Sequence, residues 1–222
     1  MDFLIVGIFV AALGTVVLLI KVAFMTAESN EHRKLAFQAM AAQKNLHYQS
    51  HGSCYAEFLA DFALMSRDRG NYVNSVTGKH QDLDVAMADY FYGDTDTDTT
   101  QTVLMIHSDM FDLPRFAIVP KQSFGLLRSL VWPGCRQFDF AKDSEFSNAF
   151  VFKTDNESEV IGLFNNQTLR RSFVTAGHVT CEVRGGTFIW YRHGKKIPSE
   201  LLDRFLAEGV AAFQKVAESA SR

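Results

Sequence analysis

The run HVTCEVRGGTFIWYRHG, His178 to Gly194, admits few folds. Gly185-Gly186 separates two stretches rich in β-branched and aromatic residues. A glycine pair is a strong signal for a two-residue β-hairpin turn, because such turns need φ > 0. The turn fixes the register: Val183 lies opposite Phe188, and Cys181 opposite Trp190. These four share one apolar face, so Cys181 is read as a small core residue and not as a nucleophile.

The same two-residue period runs upstream. NYVNSVTGKHQ, LDVAMADYFY, TVLMIHS and RFAIVP read as short strands separated by Gly, Asp, Thr and Pro. Leu83, Val85, Met87 and Phe91 share one strand face; Ala86, Ala88, Tyr90 and Tyr92 share the other. Both are apolar enough for an interior strand. FVFKT reads as another strand, followed by a short helix near NESEVIGLFNNQTLRRSF. ESNEHRKLAFQAMAAQKN reads as a helix capped by Ser29 or Asn30, with Leu35, Ala36, Ala39 and Met40 as its apolar stripe. A last helix has Ser199 as N-cap and Leu201, Leu202, Phe205, Leu206, Val210 and Phe213 on the face that covers the sheet. Glu200 and Arg204 are spaced for an i,i+4 pair. With 47% hydrophobic residues and 20 Phe there is material for a real core.

Phe3 to Ile20 contains no charge and, continued through Val22–Met25, reaches the roughly 20 residues that cross a bilayer as a helix. Lys21 can snorkel to headgroups. A cleaved signal peptide would want a basic start and a shorter apolar run. Lys21, Arg33, Lys34 and Lys44 all follow the run and none precedes it, which places the N-terminus outside and residues 27–222 in the cytoplasm. Reduced Cys54, Cys135 and Cys181 agree with that compartment. The expectation is an α+β chain: an N-terminal transmembrane helix, then a mainly antiparallel sheet packed by a C-terminal helix. Its parts are a transmembrane anchor (1–26), a juxtamembrane helix (27–46) and a cytoplasmic α+β domain (47–222).

Chemistry is sparse. Asp94, Asp96 and Asp98 alternate like the opening of a calcium loop. In that alignment Thr99 takes the sixth place and Met105 the twelfth, where glycine and a bidentate glutamate are needed. The stretch is read as a wet turn between strands. His47, His51 and Cys54 lack a fourth ligand for zinc, and the sequence assigns no catalytic, cofactor-binding or metal residue. His178 and Cys181 point to opposite strand faces. Asp89 shares the Leu83/Met87 face and is the carboxylate expected to be partly buried. Arg192, Lys195 and Lys196 form a small basic cluster. A net charge of −3 argues against nucleic-acid binding. The sequons at Asn156 and Asn166 have no meaning in a cytoplasmic domain.

RGNYVNSVTGKHQDLDVAMADYFY, QTVLMI, LPRFAIVP, FDFAKDSEFSNAFVF and GGTFIWYRHGKKI, set behind an apolar N-terminus and an Ala-rich helix, resemble an uncharacterised family of bacterial single-pass membrane-anchored proteins with a cytoplasmic α+β domain. The resemblance implies a bacterial inner membrane and brings no activity, cofactor or catalytic residue with it. The expectation is a membrane-tethered interaction module with a protein or lipid partner and an open oligomeric state. The alternative is a membrane-bound hydrolase or metal-dependent enzyme with a site near His107, Asp109 or Asp89.

Overall fold

A computed structural model describes residues 29–52, 62, 71–92, 99–123, 134–138, 140 and 143–221. The apolar run of 1–26, Cys54 and the three aspartates Asp94, Asp96 and Asp98 lie outside them. A helix over 29–44 (α1) leads into β1 (His47–His51), β2 (Asn71–His80), β3 (Leu83–Tyr92), β4 (Thr99–His107) and β5 (Leu113–Pro120). Then come β6 (Arg136–Phe138), α2 (Ser144–Ala149), β7 (Phe150–Thr154), α3 (Glu157–Phe164) and α4 (Gln167–Ala176). The chain closes with β8 (Thr180–Gly185), β9 (Thr187–Tyr191), a 3₁₀ turn (Ser199–Leu201) and α5 (Leu202–Ala220).

Among the described residues the strands form one nine-stranded sheet in the order β1-β2-β3-β4-β9-β8-β5-β7-β6. Every pairing is antiparallel. The β8–β9 hairpin inserts between β4 and β5, so the loop from β4 to β5 must cross over the hairpin's turn. Its register is Cys181 opposite Trp190 and Val183 opposite Phe188, with Arg184 opposite Thr187 leaving Gly185-Gly186 as the turn. The Ser108 amide donates to the Gly186 carbonyl at 3.0 Å. A side chain on Gly186 would run into the Ser108 carbonyl oxygen, so glycine is required there by close approach.

The larger core lies on the face covered by the helices. It joins Leu83, Val85, Met87, Leu104, Ile106, Phe188 and Trp190 of the sheet to Phe37 and Met40 of α1 and to Phe205, Leu206, Val210 and Phe213 of α5. Gly209 lets α5 press its backbone onto Leu104 and Trp190. Many of the phenylalanines form one connected aromatic mass: Phe146 to Phe152 at 5.1 Å, Phe152 to Phe164 at 5.0 Å, Phe164 to Phe173 at 5.8 Å and Phe173 to Trp190 at 5.7 Å. A smaller cluster of Ala86, Ala88, Tyr90, Val103, Met105, Ile189 and Tyr191, with Phe62, fills the opposite face. β3 is thus buried on both sides.

Four expectations are corrected. The first is the fold class headed by a transmembrane helix. Among the described residues no helix is long and apolar enough to cross a membrane. Each long one is amphipathic: α1 carries Glu31, Lys34 and Lys44 outside its buried line, and α5 carries Asp203, Arg204, Lys215 and Glu218. The architecture the structure supports is a nine-stranded antiparallel sheet with helices, and the membrane, single-pass and anchor readings are not retained.

The second concerns the stripe of α1. Leu35 is 54% exposed, and the buried line is Arg33, Phe37, Met40 and Ala41, because an arginine and not a leucine takes the inward position. Third, Ser199 opens a 3₁₀ turn, Leu201 precedes α5 without a side-chain cap, and Arg204 pairs with Glu208 at 2.7 Å instead of Glu200. Fourth, the single helix near 156–173 is two, each started by an asparagine read above only as a sequon. Asn156 accepts from the Glu159 amide, and Asn166 from the amides of Thr168 and Leu169, which is N-cap chemistry.

Candidate functional site

At the end of the sheet where β3 begins, three segments far apart in sequence enclose an apolar groove of about 630 Å³. The first is the β2–β3 turn. His80 pairs with Leu83, which leaves Gln81 and Asp82 as a two-residue loop. Both have positive φ, 52° and 63°, as a type I′ turn demands. Neither is the glycine or asparagine that tolerates this best, so the turn holds local strain.

The second segment is the β4–β5 loop. The Met110 amide donates to Ser108 Oγ at 3.3 Å, and the Met110 side chain stands 86% exposed at the mouth. Phe111 turns inward and meets Phe213 edge-on at 5.7 Å. The third segment is the end of α5. Phe213, Ala217 and Ser221 follow one another at helical spacing, with Gln214 and Glu218 beside them, and all five line the groove. Gln214 Nε2 donates to Gln81 Oε1 at 3.1 Å and ties helix to turn. The apolar lining is Leu83, Met110, Phe111, Phe213 and Ala217.

The residues singled out by sequence fare differently. Asp89 is fully buried, but its carboxylate is committed: Arg33 Nε donates to Oδ2 at 2.9 Å and Nη2 to Oδ1 at 2.7 Å. Thr102 donates to the same Oδ1 at 2.9 Å and accepts from the Ile197 amide at 2.9 Å. Arg33 also donates to the Ile197 carbonyl. This network fastens α1, β3, β4 and the segment before α5 together. It offers no acid or base to a substrate.

His107 is held between Thr187 Oγ1, 2.9 Å from Nδ1, and Asp109 Oδ1, 3.0 Å from Nε2. Hydroxyl, imidazole and carboxylate are thus together, but their exposures are inverted for nucleophilic catalysis. The Thr187 residue is only 5% exposed, while the Asp109 side chain is 96% exposed and, among the described residues, fixed by the histidine alone.

His47 and His51 are exposed on the edge strand β1, and among the described residues no group of three or more His, Cys, Asp or Glu could hold a metal ion. His178 is exposed and Cys181 buried, the latter with its thiol pushed well up by desolvation. The basic cluster disperses: Arg192 pairs with Glu208 at 3.4 Å, and Lys196 lies 5.1 Å from the Phe91 ring centre. A smaller polar pocket of about 340 Å³ includes Asp143 and Arg170. Arg170 there is occupied by Asp143 at 2.7 Å and by the Phe164 and Asn165 carbonyls at 2.6 and 3.1 Å, closing the end of α3.

No protein-family model matches the chain, and no curated protein sequence does. Its fold is similar to the crystal structure of the mycobacterial trehalose monomycolate transport factor A, TtfA. The TM-score is 0.53 at 11% identity, over 84% of this chain and 93% of that one. The likeness is one of fold.

Proposed function

We propose that this chain is a binding module whose groove at the β2–β3 turn receives the apolar chain of a lipid. The observation that carries the reading is the groove itself: about 630 Å³, floored by Leu83, Phe111 and Phe213, with Met110 standing 86% exposed at its mouth. That volume falls within the roughly 300–1,000 Å³ of ligand sites. Methionine is a flexible, polarisable side chain suited to variable apolar ligands. Each methylene placed there contributes about 0.8 kcal/mol. A likeness of fold to a protein named as a trehalose monomycolate transport factor supports a lipid over a peptide as the occupant.

The test is titration of the full chain with N-phenyl-1-naphthylamine, an uncharged apolar dye whose fluorescence rises on leaving water. Saturable binding is expected, weakened about tenfold by Met110→Asp, which puts a charge at the mouth on an already exposed position. Absence of saturable binding, or equal binding by the variant, overturns the reading. A peptide occupant would show instead as a dye site emptied by an amphipathic helical peptide and left full by alkyl chains.

A further inference from the structure

The groove's rim carries a second message. Among the described residues that line it, the charged ones are Asp82 on the β2–β3 turn and Glu218 on the last turns of α5, with no lysine, arginine or histidine. Both carboxylates are exposed and, among the described residues, neither has an ion-pair or hydrogen-bond partner. The remaining polar lining is Gln81, Gln214, Ser108 and Ser221. In the Gln214–Gln81 hydrogen bond the Gln81 amide oxygen is the acceptor. Gln214 Oε1 is therefore left as an acceptor beside two carboxylates, which when ionised can only accept.

We infer that the groove selects lipids whose polar end is not anionic and donates hydrogen bonds, a hydroxyl-rich or ammonium headgroup, and rejects carboxylate, sulfate and phosphate heads. This deepens the apolar-chain reading and rests on it. The chain of a bound amphiphile occupies the Leu83–Phe111–Phe213 floor, and its head emerges between Asp82 and Glu218. An anionic head there meets like charges that no described lining residue offsets, and like charges brought close repel even near the surface. A hydroxyl or ammonium meets acceptors.

The β2–β3 turn adds an independent mark. Gln81 and Asp82 hold φ of 52° and 63° in a turn that Asn-Gly would adopt without strain. The sequence keeps there Gln81, which bridges to Gln214 of α5, and Asp82, and both line the rim.

The experiment displaces bound N-phenyl-1-naphthylamine from the full chain with four twelve-carbon amphiphiles, each below its critical micelle concentration. Dodecyl maltoside supplies hydroxyls, dodecylamine an ammonium, and dodecanoate and dodecyl sulfate are anionic. The first two are expected to displace the dye at about tenfold lower concentration than the last two at low salt. The gap should narrow in 0.5 M salt, where screening shortens the reach of the rim charges. The relative strength of maltoside and amine tells which of the two donor heads the rim prefers. The double variant Asp82→Asn, Glu218→Gln should bring all four within about twofold, with an unchanged melting temperature showing that the fold is kept. Dye binding with equal displacement by anionic and non-anionic heads overturns the headgroup inference and leaves the groove standing. So does a preference that survives in the double variant. No dye binding by the wild type overturns both.

Discussion

Arg33 takes a full charge into a core whose other inward residues on α1 are Phe37, Met40 and Ala41. Its guanidinium is satisfied in several directions at once: by the Asp89 carboxylate, Thr102, the Ile197 carbonyl and the face of Phe37, 4.9 Å away. Removing one partner strands the other in a dry site. Arg33→Met or Asp89→Leu alone should therefore cost about 3–5 kcal/mol, whereas Arg33→Met combined with Asp89→Leu should come close to wild type. Urea unfolding of the four proteins in a double-mutant cycle measures this; additive losses would mean the pair is not coupled. Asp143 gives a second residue-scale test. The Arg170 guanidinium beside it, and then the Phe146 amide at the start of α2, hold its carboxyl below the ordinary 3.8. A lowered folded pKa gives stability that is present above the ordinary value and lost as pH falls through the folded one. Asparagine caps a helix about as well as aspartate, so Asp143→Asn isolates the charge. The stability gap between wild type and variant should be open at neutral pH and close below about pH 4. A gap independent of pH would show that the ion pair contributes nothing.

Elements differ in how much of themselves they announce. The β8–β9 hairpin was legible because its instruction is local: two glycines set the turn, the turn sets the register, and the register puts Cys181 and Trp190 together on one face. Trp190→Ala should accordingly cost about 3–5 kcal/mol in urea unfolding; an unchanged midpoint would mean its burial is incidental. The two faces of β3 were legible for the same reason, since alternation needs no partner to be read. The β2–β3 turn was not, because Gln81 and Asp82 adopt left-handed backbone without the residues that advertise it. Replacing them by Asn-Gly should stabilise by roughly 0.5–1 kcal/mol through relief of that strain while removing the bridge to Gln214. A variant that melts lower would show the bridge to outweigh the strain. The asparagines at 156 and 166 show a signal present but assigned to the wrong chemistry: the oxygen that makes a sequon's amide also caps a helix. The groove was hidden altogether, since residues 81–83, 108–111 and 213–221 meet only after β9 and β8 have come between β4 and β5.

At the scale of the molecule, the late hairpin controls the early strands. β4 has β3 on one side and finds its other neighbour, β9, only when residues 187–191 arrive; β5 likewise waits for β8. The centre of the sheet is therefore built from long-range pairs that are buried on both faces, while β1 at one edge is largely exposed and β6 at the other is only three residues long. Opening of the centre requires giving up both hydrophobic clusters together, whereas opening of an edge gives up little. Native-state amide exchange should then be slowest at Val103–Ile106 and Phe188–Tyr191, approaching the global unfolding free energy, and faster by orders of magnitude at His47–His51 and Arg136–Phe138. α1 supplies the discriminating case. Although it precedes the sheet in sequence, Phe37 is fully buried in the same cluster as Leu104 and Trp190. If the helix belongs to the cooperative core, Phe37→Ala should lower stability by about 3–5 kcal/mol and speed exchange in β4 and β9 by the same free energy. If α1 were a separate layer resting on a finished sheet, the loss would be confined to amides 29–44 and the central strands would exchange as before. Exchange followed residue by residue in wild type and Phe37→Ala decides between the two. The connected burial of Phe37, Leu104 and Trp190 points to the first.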